Sequence, residues 1–60
     1  MDATRIDDVA QRLYRARGDR AEFEAAQKAR ECASRGAEAE AESWRHIRQR
    51  IRILRGANQS

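Results

Sequence analysis

Three glycines, at positions 18, 36 and 56, are the only conformational breaks in a sixty-residue chain that has no proline. Proline would stop a helix outright, whereas glycine ends one by adopting the left-handed backbone that other residues avoid. Each segment ahead of a break is long enough for a helix of several turns, and each repeats its apolar residues at helical intervals. The expected architecture is all-α. It is a compact three-helix chain with helices at about 4–17, 20–34 and 37–55, forming one domain over residues 1–60 with a frayed tail at 56–60.

In the first segment Ile6, Val9, Ala10, Leu13 and Tyr14 line one face. Thr4 is placed to cap it, with Asp7 and Asp8 in the first turn, where the helix dipole favours acids. Arg12, Arg15 and Arg17 fall on the opposite side or its margin, near the end that favours cations. Gly18 suits the left-handed position just past a helix end. Asp19 and Glu22 then form an Asp-x-x-Glu analogue of the capping box, a signal to restart. An unbroken helix from Thr4 to Ser34 is the alternative, because one interior glycine costs only ~1 kcal/mol. Phase argues for the break. At about 100° per residue, a continuous helix would carry the Ile6–Leu13 stripe well away from Phe23, Ala26 and Ala33.

The second helix is built from small residues. Ala21, Ala25, Ala26, Ala29, Cys32 and Ala33 make a thin face, with Phe23 as its one large apolar residue. A thin face lets helix axes approach closely and suits a central helix packed on two sides, where Cys32 behaves as a small apolar residue. Gly36 is the next C-terminal stop. On the third helix Trp44, Ile47, Ile51 and Leu54 join Ala37 and Ala41 within an arc of about 140°, a normal core-facing width. Its charges are split. Glu38, Glu40 and Glu42 come first, then Arg45, Arg48, Arg50, Arg52 and Arg55 with no acid among them. Arg45, Arg48, Arg52 and Arg55 line one margin of the apolar arc, while Ile53 lies on the far side near His46.

So short a chain buries only about 60% of its unfolded surface and needs a staple. One cysteine forms no internal disulfide, and the cysteine and histidine do not cluster as a structural zinc site does. Homo-oligomerisation, most simply a two-fold dimer, is the staple that remains. The N-terminus lacks an apolar leader, and with a lone thiol this points to a reducing cytoplasm. The net charge is +3, carried by twelve Arg and one Lys against ten acids. Arginine pairs bidentately with carboxylates and phosphates, yet a GC-rich genome produces the same bias without functional meaning.

The run VAQRLYRARGDRAEFEAAQKARECASRGAEAEAESWRHIRQRIRIL resembles a family of short, uncharacterised bacterial all-helical proteins. Those have an apolar first helix, a Gly-Asp turn followed by Ala, an Ala-rich middle helix and a Trp-containing last helix. The matching residues are Leu13, Tyr14, Gly18, Asp19, Ala21, Trp44, Ile47, Ile51 and Leu54, so the likeness spans about residues 6–54. It departs from the pattern where Gly36 is followed by Ala37 rather than Asp. The resemblance implies the architecture and no activity.

Chemistry is sparse. Cys32 and His46 would make a nucleophile pair only if they converged, and they fall on an alanine face and a polar face of different helices. Glu38, Glu40 and Glu42, spaced by two, point about 200° apart in turn and do not converge on one ion. No catalytic, cofactor or metal residues are expected, and the chain reads as a non-enzyme. The leading expectation is a self-associating, noncatalytic interaction module, an adaptor or regulatory subunit. Trp44, Ile47, Ile51 and Leu54 are its expected anchors, with Arg45, Arg48, Arg52 and Arg55 oriented toward an acidic surface. Within the fold Glu22, Glu24 or Glu31 would be their partners, and Glu38 or Glu42 in an antiparallel dimer. The alternative is nucleic-acid binding, with the arginine row tracking phosphates. Against it, helix-turn-helix proteins read bases with the start of the recognition helix, which here carries three glutamates. Binding flat on a membrane is disfavoured because the apolar face is needed for the core.

Overall fold

The computed structural model describes residues 3–58. They form α1 (Ala3–Arg17), α2 (Arg20–Ser34) and α3 (Glu38–Asn58), with no strand among the described residues. Two glycines close two helices in different ways. Gly18, at φ +61°, donates its N–H to the Tyr14 carbonyl at 2.7 Å, a single left-handed closure. Gly36, at φ +78°, donates to Ala33 at 3.0 Å while Ala37 reaches back to Cys32 at 2.8 Å, the paired Schellman pattern. The break at Gly18 is therefore present, and the chain has three helices rather than two.

Gly56 behaves differently. Its φ is not positive and α3 runs through it to Asn58, three residues past the end expected at 55. Nothing compels a glycine to leave a helix when the ladder continues past it. Gln59 and Ser60, the rest of that expected tail, lie outside the described residues.

Both expected side-chain caps are absent. Thr4 already lies inside α1, so it is not the N-cap, and Asp7 and Asp8 sit beyond the first turn. Asp19 has helix-like φ −62° and ψ −20° and makes no capping hydrogen bond. The restart is held instead by backbone, Ala21 N–H donating to the Gly18 carbonyl at 3.1 Å. Asp19 and Glu22 both turn toward Arg55, at 3.6 and 2.8 Å, because a guanidinium is a stronger partner for a carboxylate than a neutral amide.

The central helix is α3, not α2. It packs against both neighbours, most extensively against α2, while α1 and α2 touch least. Ala10, Ala21, Ala25, Ile47 and Ile51 form the enclosed cluster, ringed by Ile6, Val9, Leu13, Tyr14, Trp44 and Leu54. Ile47 and Ile51 are the largest fully enclosed side chains. Alanines on α2 keep its axis close to α3, as the composition implies. Phe23, however, is not on that face and is 62% exposed. The buried residues of α2 are Ala21, Ala25, Ala29 and Cys32, and a residue two positions from both Ala21 and Ala25 points about 200° away from each. The molecule measures 38 × 21 × 16 Å. With only two other helices to pack against, α3 leaves its outer side uncovered, where Glu38, Glu42, Arg45, Gln49 and Arg52 are exposed.

Candidate interaction surface

Helix α3 distributes its arginines between its two neighbours. On the α1 side Arg50 Nε donates to the Asp7 carboxylate, tying the ends of the sequence together. On the α2 side Arg55 Nη1 donates to Glu22 Oε1 at 2.8 Å, and the Arg55 Nε, enclosed beside Asp19, makes no hydrogen bond. Arg48 approaches the same Glu22 at 3.9 Å. Glu22 is thus the internal partner for the arginine row. Glu24 instead meets Arg17 across the first turn at 3.4 Å. Glu31 pairs with nothing among the described residues.

The four-arginine margin is consequently not uniform. Arg55 is hydrogen-bonded and committed. Arg48 and Arg45 are held only at 3.9 Å, by Glu22 and Glu42, beyond hydrogen-bonding distance. Arg52 has no partner among the described residues. Between α2 and α3 lies a groove of about 270 Å³ with Ala26, Ala29 and Ala33 along one wall and Arg30, Arg45 and Arg48 around it. No carboxylate lines that groove among the described residues.

The four apolar anchors also divide. Ile47 and Ile51 are wholly enclosed within the chain and leave nothing for a partner to touch. Trp44 and Leu54 are half-buried. Trp44 lines a groove with Arg5, Val9, Ala39, Glu40 and Ser43 between α1 and the start of α3. Exposed apolar surface comes from residues outside the expected anchors, Phe23 and Ile53, the latter 55% exposed. Ile53 and His46 do share a groove, of about 320 Å³, with Ile6, Asp7, Gln49 and Arg50. Helical phase alone distinguishes Phe23 from the α2 core once Ala21 and Ala25 are known to be buried. That signal was present in the sequence.

Cys32 and His46 serve separate neighbourhoods. The Cys32 thiol is buried beside the Gly36 turn, accepting from Arg35 Nη2 at 3.5 Å and facing Glu40 at 3.8 Å. His46 is exposed and meets Glu42 at 3.4 Å. Glu42 therefore faces both Arg45 and His46, and Glu40 faces Arg35 at 4.0 Å, so these two glutamates point to different neighbours. Among the described residues no group of three His, Cys, Asp or Glu side chains is arranged to hold a metal, and no helix is long and apolar enough to cross a membrane.

No protein-family model, curated protein or solved structure matches this chain.

Proposed function

We propose that the chain is a small noncatalytic interaction module that self-associates and acts as an adaptor or regulatory subunit, in a reducing cytoplasm where a lone thiol persists. The observation that carries this reading is the placement of Phe23 and Ile53, large apolar side chains left largely exposed on a chain whose core encloses no side chain larger than isoleucine. A chain this small gains most from covering such surface with another molecule. The exposed outer side of α3 supports the same reading. The test is the mass of the purified full chain in solution by sedimentation, across micromolar to millimolar concentrations. A mass of two or more chains that dissociates on dilution is the expected result. A monomer throughout, together with no protein captured from nuclease-treated native lysate, overturns the reading.

A second reading, nucleic-acid binding, is favoured by one observation, the groove bordered by Arg30, Arg45 and Arg48 with no acid in its lining. A salt-sensitive mobility shift with short duplex DNA or RNA, lost on reversing Arg48 and Arg52 to Glu, supports it. Absence of any shift at low salt ends it.

A further inference from the structure

The outer side of α3 carries a stripe that shares Arg45 and Arg52 with its arginine margin and adds acidic and amide residues to them. Glu38, Glu42, Arg45, Gln49 and Arg52 are all exposed and recur at intervals of four, three, four and three residues. On an α-helix this spacing keeps them within an arc of about 80° along roughly 21 Å of axis. The stripe starts acidic and ends basic. It is also loosely engaged within its own chain. Glu38 and Arg52 pair with nothing among the described residues, and Glu42 meets Arg45 only at 3.9 Å and His46 at 3.4 Å.

We propose that this stripe is the docking surface for α3 of a second copy of the chain, laid antiparallel about a two-fold axis at residue 47. The proposal rests on the self-association argued above and names its surface. In that arrangement Glu42 of each copy faces Arg52 of the other and Arg45 faces Gln49, each contact occurring twice by symmetry. Glu38 faces Gly56, so no like charges meet along the stripe. Parallel pairing would set every residue against itself, Glu42 on Glu42 and Arg52 on Arg52, and would be repelled at each charged level. The antiparallel arrangement also opposes the two helix dipoles. Next to the stripe lies the groove between α2 and α3, whose α2 wall carries the small side chains of Ala26, Ala29 and Ala33 and whose rim carries Arg30, Arg45 and Arg48. Phe23, one helical turn before Ala26, supplies apolar surface on the outer side of α2.

Sedimentation of the full chain across micromolar to millimolar concentrations tests this. The wild-type chain is expected to be a dimer that weakens as salt is added. Glu42→Arg and Arg52→Glu each place like charges in contact twice and weaken the dimer by roughly tenfold or more. Mixing the two variants restores a dimer, because opposite charges face again in the mixed pair, and the Glu42→Arg/Arg52→Glu chain restores it on its own. Circular dichroism of each dilute variant checks that the helices are intact, and Glu42→Gln and Arg52→Gln, which lose attraction without adding repulsion, give smaller losses of the same sign. A wild-type dimer indifferent to both reversals overturns this surface and leaves self-association standing, whereas a wild-type monomer overturns both. Loss in each single variant without recovery in the mixture overturns the antiparallel pairing. Duplex DNA binding that Arg52→Glu abolishes, with dimerisation unchanged, assigns the basic end to phosphate and overturns the proposal.

Discussion

Ile51 and Ile53 stand two residues apart on α3 and meet opposite environments, 0% and 55% exposed. Ile51→Ala removes every carbon beyond Cβ from a closed site. At ~0.8 kcal/mol per buried methylene, plus the cavity left behind, the loss is about 2–5 kcal/mol. A chain of this length has a total stability of roughly 3–9 kcal/mol. The substitution therefore removes a large share of the folding free energy and, at the low end of that stability range, unfolds much of the protein at room temperature. Ile51→Val is the graded form, costing about 0.5–1.5 kcal/mol. In a domain this small, each kcal/mol lowers Tm by roughly 4–8 °C. Ile53→Ala, on a site already open to water, changes monomer stability by no more than about 0.5 kcal/mol. Thermal melts by far-UV circular dichroism, run at low and high protein concentration, read all three. Ile51 variants should lose stability at every concentration. Any loss at Ile53 should appear only where chains associate, since a partner stabilises the folded state by mass action. Equal Tm losses for Ile51→Ala and Ile53→Ala in dilute protein would refute the assignment of the core.

The glycines give a test of backbone with little interference from packing, because a Cβ at position 18, 36 or 56 meets nothing within 4 Å. Gly18→Ala and Gly36→Ala force alanine into a left-handed backbone and should each destabilise by about 1–2 kcal/mol, whereas Gly56→Ala should add up to ~1 kcal/mol of helix stability and so raise Tm. A loss at Gly56 matching that at Gly18 would show that α3 does not pass through it. Glu22→Gln should cost about 1–2 kcal/mol by weakening its charged bond to Arg55, while Asp19→Ala should cost much less. Comparable losses in urea titrations would restore the capping box. Trp44→Ala should lower melting temperature and oligomer mass together, through a half-buried ring that borders both the core and a groove. An unchanged melt and mass would remove Trp44 from both roles.

The helix breaks were legible because they depend on local backbone. Gly18 and Gly36 adopt the left-handed conformation that no other residue type takes as readily, and each follows a segment whose apolar rhythm stops there. The positions of Ile47, Ile51, Trp44 and Leu54 on one face followed in the same way from periodicity. The caps were less legible, since Asp19 and Glu22 have the right spacing for a capping box and a better partner elsewhere. That partner, Arg55, is thirty-three residues from Glu22 along the chain, and only the antiparallel return of α3 beside α2 brings them together. Phe23 departs from expectation for a reason of phase: Ala21, Ala25 and Ala29 complete the buried stripe of α2, and a large side chain two positions off that stripe faces outward whatever its size.

The arginine row shows why a helical wheel underdetermines electrostatics. A wheel places Arg45, Arg48, Arg52 and Arg55 together, yet what each one meets depends on its height beside α2 and on small differences of angle. Arg55 reaches the nearly enclosed Glu22 and becomes structural. Arg48 falls short of hydrogen-bonding the same carboxylate. Arg52, only three residues from Arg55, lies far enough around the helix to remain unpaired among the described residues. An exposed ion pair contributes little by itself, typically about 0.2–1 kcal/mol, so in the proposed dimer the charges of α3 would not supply most of the affinity. Their role in that proposed dimer is to choose orientation, with exposed apolar surface such as Phe23 and Ile53 as the source of affinity. A stripe acidic at one end and basic at the other admits antiparallel partners and rejects parallel ones. This division assigns affinity and polarity to different residues, so the two can be altered independently.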